Sequence, residues 1–224
     1  MSELTLLIPA KKEAESLPIF LDELKKYHFK ILIVLEEKDQ ETINAIIPRD
    51  NLEIFYQKTS GYGSALIEGI NHIKTKYFCI INADGSMNPN ELDSMFKIVN
   101  ENNDLVFASR YLENAGSEDD DLITTVGNYI FSFLGKLMFN LKLNDILYTY
   151  VIGNTELIKK LNLTFRDFKI CVELPIKAHR SQLKYTSTPS FERKRIAGKK
   201  KVKPFIDGLH ILIGMFYLFF NKIL

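Results

Sequence analysis

Cysteine is scarce in this 224-residue sequence, which contains only Cys79 and Cys171. Both lie in apolar runs without a Cys-x-x-Cys pattern, so we expect two buried free thiols rather than a disulfide. The four histidines lack metal-ligand spacing and receive no role. No leader is visible, because a strand-like run begins at Leu4, and this pattern indicates a cytoplasmic protein.

An excess of charge is also missing, since 29 basic residues balance 28 acidic ones and leave a net charge of +1. The chain as a whole therefore has no strong attraction for nucleic acid, and a local patch must recognise any anionic partner. The stretch from Arg193 to Lys203 is such a basic patch. Hydrophobic residues make up 46% and charged residues 25%, which is typical of a globular protein.

Short apolar runs alternate with amphipathic stretches along the chain. The predicted strands are Leu4–Ile8, Lys30–Leu35, Leu52–Gln57, Tyr77–Asn82, Asp104–Ala108, Tyr148–Asn154 and Leu183–Thr188. The predicted helices are Glu15–Tyr27, Gln40–Ile46, Gly63–Thr75, Pro89–Glu101, Ile123–Leu143 and Phe168–Arg180. This order predicts an α/β fold with a mostly parallel sheet covered by helices on both faces. Ligands of such sheets bind at the carboxyl ends of the strands.

Five short motifs occur in a fixed order, at or near the ends of predicted strands. They are Ile8-Pro9-Ala10-Lys11-Lys12-Glu13, Gly61-Tyr62-Gly63-Ser64-Ala65, Asn82-Ala83-Asp84-Gly85-Ser86, Ser109-Arg110-Tyr111 and Arg195-Ile196-Ala197-Gly198-Lys199-Lys200-Lys201. This order resembles the family 2 glycosyltransferases, which have a GT-A fold. Within that family it is most similar to the dolichyl- or polyprenyl-phosphate sugar transferases. The resemblance extends from about residue 4 to residue 212.

The resemblance implies a role for each matching residue. The nucleotide-sugar donor would contact Pro9, Ala10, Glu13, Glu36, Gly61, Gly63, Asn82 and Ala83. Catalysis would fall to Asp84, Asp145 and Arg110, and the acceptor or its phosphate would meet Arg195, Gly198 and Lys201. The acceptor would be a lipid phosphate or a glycan, and the resemblance implies a hexosyl transfer of the inverting type. It would proceed by direct displacement at the anomeric carbon.

A divalent cation is expected on chemical grounds. A leaving nucleoside diphosphate develops negative charge, which Mg²⁺ or Mn²⁺ and cationic side chains can hold. Asp84 and Ser86 offer oxygen ligands from one short loop. The alternative for this loop is an ordinary surface turn containing Asp-Gly.

Two departures from the family's motifs open a second hypothesis, a degenerate homologue that binds nucleotide-sugar without catalysis. Asn82 replaces the first Asp of Asp-x-Asp, and Leu35-Glu36 stands where the family has Asp-Asp. A third hypothesis is a sugar nucleotidyltransferase. It ranks last because the loop after the first strand has lysines but no glycines.

Several site residues also have ordinary structural explanations. Asp145 is either a residue near the acceptor or a turn residue after a helix. The basic stretch is either a phosphate-binding loop or a solvated surface. Gly61 and Gly63 form either a phosphate-binding turn or a plain loop. Glu173 lies in an apolar run, where we expect a buried pair with Lys or Arg.

The C-terminal segment is separated in this prediction, with residues 1–208 forming the GT-A domain and residues 209–224 an apolar helix. That helix is shorter than the ~20 residues that cross a bilayer. Either it packs on the domain or it lies in a membrane interface, and the adjacent lysines favour the interface. We therefore expect a protein at the cytoplasmic face of a membrane whose fold survives deletion of residues 209–224.

Overall fold

A seven-stranded sheet forms the centre of the molecule in the computed structural model, which describes residues 3–221. The strands are β1 Leu4–Pro9, β2 Lys30–Leu35, β3 Leu52–Tyr56, β4 Tyr77–Ile80, β5 Leu105–Ser109, β6 Gly116–Ser117, β7 Val151–Asn154, β8 Tyr185–Pro189 and β9 Phe191–Glu192. The helices are α1 Leu17–Glu23, α2 Gln40–Ala45, α3 Tyr62–His72, α4 Leu92–Asn100, α5 Leu122–Phe139, α6 Thr155–Lys159, α7 Ile170–Arg180 and α8 Pro204–Phe220.

The sheet has the order β3-β2-β1-β4-β7-β5-β8, and β6 pairs with β9 in a separate two-stranded sheet. Only β7 runs antiparallel to its neighbours β4 and β5, while the other pairs are parallel. The predicted, mostly parallel sheet is therefore confirmed. Its parallel register brings the ends of β1, β2, β4 and β5 to one edge, which is where this architecture binds ligands.

Side-chain alternation along β1 divides the core into two layers. Leu6 and Ile8 pack in one cluster with α1 and α4, whereas Leu7 packs on the other face with α3, α6 and α7. Helices cover both faces, as a parallel sheet requires because both of its faces are apolar.

The predicted elements are present with shifted ends. The long helix stops at Phe139 instead of Leu143, because Asn140 adopts a left-handed conformation (φ 58°) that ends the helix. β6, β9 and α6 were not predicted, since elements of two to five residues carry too little periodicity to recognise. Both cysteines are free as expected, with Cys79 buried and Cys171 partly buried.

The C-terminal helix differs from its prediction in extent. It begins at Pro204, so the predicted boundary after residue 208 falls inside α8, and residues 222–224 lie outside the described residues. One side of α8 buries Ile211, Met215 and Leu218 in a third core cluster with α5 and α7. This side of the helix belongs to the domain.

The other sides of α5 and α8 are exposed and apolar, and together we name them the apolar face. It consists of Leu122, Ile123, Val126, Tyr129, Ile130, Phe133 and Leu137 on α5, and Phe205, Ile206, Leu209, Ile213, Phe216, Tyr217, Phe219 and Phe220 on α8. By length and composition alone, α5 is the one helix in residues 3–221 that is long and apolar enough to cross a membrane.

Candidate active site at the carboxyl edge of the sheet

A cavity of about 1120 Å³ lies where the loops after β1, β2, β4 and β5 meet. Most of the predicted site residues line it, although they come from distant parts of the chain. They are Pro9, Ala10, Glu13, Glu36, Gly61, Asn82, Ala83, Asp84, Ser86, Arg110, Arg195 and Lys201. Gly63, Asp145 and Gly198 are not part of this lining.

The loop after β4 presents Asp84 to the cavity. One carboxylate oxygen of Asp84 accepts hydrogen bonds from the Ser86 backbone N–H at 3.1 Å and from the Ser86 hydroxyl at 2.9 Å. The other oxygen lies 3.4 Å from Arg195 Nη1. Gly85 makes the turn possible with φ of 73°, and a side chain there would collide with Ile196.

This loop suits a hard divalent cation whose remaining ligands come from a nucleotide. No group of three or more His, Cys, Asp or Glu residues with metal-binding geometry occurs among residues 3–221. Mg²⁺ is typically held by one or two carboxylates together with substrate phosphates and water. A single carboxylate at Asp84 with neutral oxygens nearby meets that requirement.

Glu36 lies at the end of β2, with 14% of its side chain exposed. Lys38 Nζ lies 2.5 Å from one of its oxygens, the Ser60 hydroxyl donates to the other at 2.7 Å, and Lys11 is 3.5 Å away. Hydrogen bonds from Lys38 and then Ser60 lower the pKa of Glu36 to about 2. Glu36 is therefore an anion throughout the neutral range.

The two glycines before and within α3 have different positions. Gly61 lines the cavity at the helix N-terminus with φ of 120°. Gly63 is buried, and its missing side chain makes room for the backbone of residues 165–167. Its structural role is therefore close packing, and the donor role expected from the motif is not supported by its position.

Between these glycines, Tyr62 turns its ring toward the cavity and stacks on Phe168 with centroids 5.2 Å apart. The Tyr62 hydroxyl lies 2.7 Å from the Thr149 hydroxyl and donates to Asn82 Oδ1 at 3.3 Å. Asn82 thus uses its side-chain oxygen to hold Tyr62. Asn82, which stands where the family's motif has an Asp, therefore pairs with a neutral hydroxyl.

Arg110 and Asp145 form the centre of a buried ionic network. Each Arg110 nitrogen donates to a carboxylate: Nε and Nη2 to Asp145 at 2.7 and 2.9 Å, and Nη1 to Asp120 at 2.9 Å and Glu192 at 3.1 Å. Burial alone would lower the pKa of Arg110, but Asp145 and the other carboxylates raise it well above its ordinary value.

This network changes two assignments. Arg110 borders the cavity, but its side chain is buried and each of its side-chain nitrogens binds a carboxylate, so it is not positioned for the catalytic contact with substrate that was expected. The Asp145 side chain is fully buried with both oxygens on Arg110, so it is not positioned to act as a general base. We assign the pair to holding the loops that shape the cavity.

The segment from Arg193 to Lys203, which we name the basic loop, crosses the cavity. Arg195 donates to Asp119 at 3.1 and 2.6 Å, and Lys200 Nζ lies 3.7 Å from both Asp119 and Asp120. Lys201 pairs with Glu13. Gly198 adopts φ of 79° beside Glu13, so it shapes this loop from outside the main cavity. Burial alone raises the pKa of Asp119, but the hydrogen bond and charge of Arg195 lower it below its ordinary value.

The far part of the cavity is apolar and lies between α5 and α8. Its lining includes Ile123, Val126 and Ile130 from α5 and Phe205 and Ile211 from α8. Several of these residues also belong to the apolar face. The polar site at the strand ends is therefore continuous with an apolar groove that reaches the protein surface.

Sequence reasoning missed several residues of the lining. Asp119, Asp120 and Glu192 come together through the small sheet of β6 and β9, which was not predicted. The acidic loop before α5 was a visible signal, but nothing local indicated which cations it would meet.

The expected pair of Glu173 is confirmed. Lys177 Nζ lies 3.0 Å away, and the carboxylate accepts hydrogen bonds from residues 164 and 165.

The fold and this site define a GT-A-type transferase architecture, with a mixed sheet and its site at the carboxyl ends of the parallel strands. The sequence profile of glycosyl transferase family 2 matches residues 5–161. The chain belongs to this family.

Relatives in sequence agree with that membership, and solved structures share the fold. An uncharacterized glycosyltransferase of Mycobacterium bovis is 24% identical over 213 residues, which cover 95% of each chain. An uncharacterized protein of Methanocaldococcus jannaschii is 23% identical over 84% of this chain and 80% of its own.

Among solved structures, glucosyl-3-phosphoglycerate synthase of Mycobacterium tuberculosis, in complex with Mn²⁺, UDP and phosphoglyceric acid, has a TM-score of 0.69. It shows 12% identity and covers 96% of this chain and 78% of that one. A structure of the same enzyme with Mg²⁺ and UDP has a TM-score of 0.66 at 12% identity, with the matched part covering 96% and 78% of the two chains.

Proposed function

We propose that this chain moves a hexose from a nucleotide-sugar, with a UDP-type donor as the first candidate, to the phosphate of a lipid-linked acceptor of the polyprenyl-phosphate kind. The observation that carries the proposal is the single cavity that joins the strand-end site to the apolar groove between α5 and α8. A soluble phosphorylated acceptor needs only the polar part. An acceptor with a long apolar chain uses both parts.

The donor half of the site has the groups that a nucleotide-sugar requires. Asp84, with neutral oxygens beside it, would hold Mg²⁺ or Mn²⁺, which when bound would neutralise charge on the leaving diphosphate. The likeness to an enzyme solved with Mn²⁺ and UDP supports this assignment. Glu36 and the Gly61 turn would contact the nucleoside, with Pro9 and Ala10 forming the floor.

The acceptor half follows from the cations. Arg195, Lys200 and Lys201 line the cavity and suit a phosphate. An oxygen of this phosphate would attack the anomeric carbon, form the new C–O bond and release the nucleoside diphosphate, with inversion expected for a direct displacement. A phosphate needs no general base, since its second pKa is about 6. The burial of Asp145 against Arg110 is consistent with that chemistry.

A donor screen provides the first test. Thermal shift would be measured with several nucleotide-sugars, each with and without Mn²⁺, followed by transfer to a short polyprenyl phosphate and to phosphoglyceric acid. The proposal expects a metal-dependent shift and a glycosylated lipid phosphate with release of nucleoside diphosphate. Transfer to phosphoglyceric acid alone would reject the lipid acceptor.

Two other outcomes identify the alternatives. Donor binding without turnover would favour the degenerate homologue, and the variant Asn82→Asp would then be tested for gain of metal binding. Release of pyrophosphate would identify a nucleotidyltransferase.

A further inference from the structure

The outward side of α5 is apolar, unlike that of a helix on a water-exposed surface. The buried residues of this helix are Asn128, Ser132 and Gly135, and its partly buried residues Phe131, Leu134 and Met138 pack on the third cluster. Its outward side carries the large apolar residues of the apolar face. A surface helix of a soluble domain normally shows the opposite arrangement, with polar residues outward. Exposed apolar patches of this kind mark surfaces that contact another molecule or a membrane.

The two helices present this side together. The Phe139 and Phe219 rings lie 5.9 Å apart, and Phe131 lies next to Gly208, so α5 and α8 run side by side in the same direction. At 1.5 Å per residue each is about 26 Å long. Most exposed large apolar side chains in residues 3–221 lie on these two helices, which makes the face far more apolar than the rest of the surface.

The inward contacts keep α5 from crossing a membrane. The Asn128 amide donates to the Tyr111 hydroxyl at 2.9 Å and to Asp120 at 3.2 Å. The Ser132 hydroxyl accepts from the Ile146 backbone N–H at 3.2 Å. A spanning helix would lose these bonds and expose these polar groups to lipid, so α5 has to stay on the domain.

We infer that the apolar face docks in the plane of an anionic lipid bilayer, with α5 and α8 lying side by side in the interface. The charge beside it selects this occupant, because Lys199 and Lys203 lie just before α8 and are exposed, whereas Lys200 and Lys201 pair with carboxylates in the acceptor half of the cavity. Such a basic cluster at the edge of an apolar helix pair matches lipid tails flanked by anionic headgroups. If a second copy of the chain covered this face, these lysines would either lie near the same lysines of that copy and repel them, or take no part in the contact.

Docking also explains why the cavity is continuous with this face. Ile123, Val126 and Ile130 are exposed on the apolar face and line the cavity. A lipid chain in the bilayer can enter the groove from the side, without passing through water. This inference rests on the proposed function for the identity of the acceptor, but the docking itself is independent of any transfer.

The absence of tryptophan gives the test a clean reporter. Three single-tryptophan proteins would be made, Phe133→Trp on α5, Phe216→Trp on α8, and Ile47→Trp as the control. Ile47 is 66% exposed and lies outside the apolar face. None of the three positions lines the cavity. Each would be mixed, without donor, with phosphatidylglycerol–phosphatidylcholine vesicles whose acyl chains carry bromine.

The expected result is a blue shift and strong bromine quenching at both helix positions and none at the control. In sedimentation, the double variant Phe133→Asp with Phe216→Asp should lose at least about tenfold in vesicle affinity, while Ile47→Asp keeps it. Unaltered melting temperatures would show that these exposed positions tolerate the change.

Three outcomes would overturn the inference. The first is no quenching at either helix position, and the second is equal quenching at the control. The third is a dimer in light scattering that the double variant converts to a monomer, without vesicle binding by either protein. In that case a second copy covers the face. Vesicle binding without sugar transfer would leave docking intact and reject only the proposed function.

Discussion

Asp84 is the residue on which metal binding depends, because it supplies the one carboxylate of the Asn82–Ser86 loop. Asp84→Ala should weaken Mn²⁺-dependent donor binding at least tenfold, which corresponds to about 1.4 kcal/mol. Calorimetry with and without Mn²⁺ measures this difference. The charge-matched control is Asp93→Ala, an exposed residue in the first turn of α4 that does not line the cavity. Unchanged metal dependence in the Asp84 variant would contradict the assignment.

Glu36 gives the clearest prediction of pH dependence. Its carboxyl ¹³C signal should titrate near pH 2 in the folded protein, well below the ordinary pKa of 4.5, because Lys38 and Ser60 stabilise the anion. A lowered pKa adds stability that is present above the unfolded value and is lost as pH falls from about 4.5 toward 2. Lys38→Ala should move the titration upward, and Lys26→Ala should leave it unchanged. A signal that titrates near 4.5 in the original protein would show that the contacts do not form.

At the scale of elements, α8 belongs to the domain on one side and is exposed on the other. We expect deletion of residues 209–224 to destabilise the fold, contrary to the expectation from sequence. Ile211, Met215 and Leu218 would all be lost from the third cluster. Each fully buried side chain of this size contributes about 1.5–3 kcal/mol.

Urea unfolding would measure the loss, with a matched pair of substitutions within the helix. Met215→Ala should lower the free energy of unfolding by about 2–5 kcal/mol, because it leaves a cavity in the core. Phe216→Ala, at the exposed neighbour, should change it by no more than about 0.5 kcal/mol. Equal effects of the two would mean that α8 does not pack as described.

Residues of the basic loop pair with Asp84 and Glu13, two carboxylates that a donor complex would need. Arg195 contacts Asp84, its neighbour Ile196 donates its backbone N–H to the Asp84 carbonyl at 2.8 Å, and Lys201 pairs with Glu13. A cation that binds Asp84 has to compete with Arg195. A nucleotide diphosphate removes this competition, because it offers Arg195 new anionic partners.

We therefore expect Arg195→Ala to bind Mn²⁺ several-fold more tightly than the original protein when no nucleotide is present, as measured from the free Mn²⁺ signal in electron paramagnetic resonance. The same variant, like Lys201→Ala, should impair transfer to a lipid phosphate more than it impairs donor binding. Lys194→Ala is the control, since Lys194 is an exposed residue of the same loop outside the cavity lining. Weaker Mn²⁺ binding in Arg195→Ala would show that Arg195 supports the cation site instead of competing for it.

For the whole molecule, the net charge of +1 is too small to drive it to a membrane, so electrostatic attraction has to come from the lysines before α8. Raising salt from about 0.1 M to about 1 M shortens the Debye length from about 10 Å to about 3 Å. Affinity for anionic vesicles should fall several-fold over this range, whereas affinity for neutral vesicles should stay low and change little. The variant Lys199→Gln should reduce the salt dependence. Binding that is equal for both lipids at every salt concentration would remove the electrostatic part of the inference.

Much of the fold could be predicted because its signals are local. The alternation of apolar runs and amphipathic stretches identified the strands of the main sheet and most helices, with ends displaced by a few residues. Most of the site residues that the motif order predicted do line the cavity, since parallel strands bring their carboxyl ends to one edge. Pairs such as Arg110 with Asp145, 35 residues apart, could not be predicted, because packing alone sets which charged groups meet.

The sequence by itself determined the sheet, the edge where the site forms and the family, because periodicity and short motifs act over neighbouring residues. Only the tertiary structure decided that Gly63 makes room for residues 165–167, that Asp145 is buried under Arg110, and that the basic loop lies on Asp84. It also decided which side of α5 faces the core, because the sequence of this helix is apolar over most of its length. Which side of such a helix faces the core depends on the partners that satisfy Asn128 and Ser132, and those partners lie elsewhere in the chain.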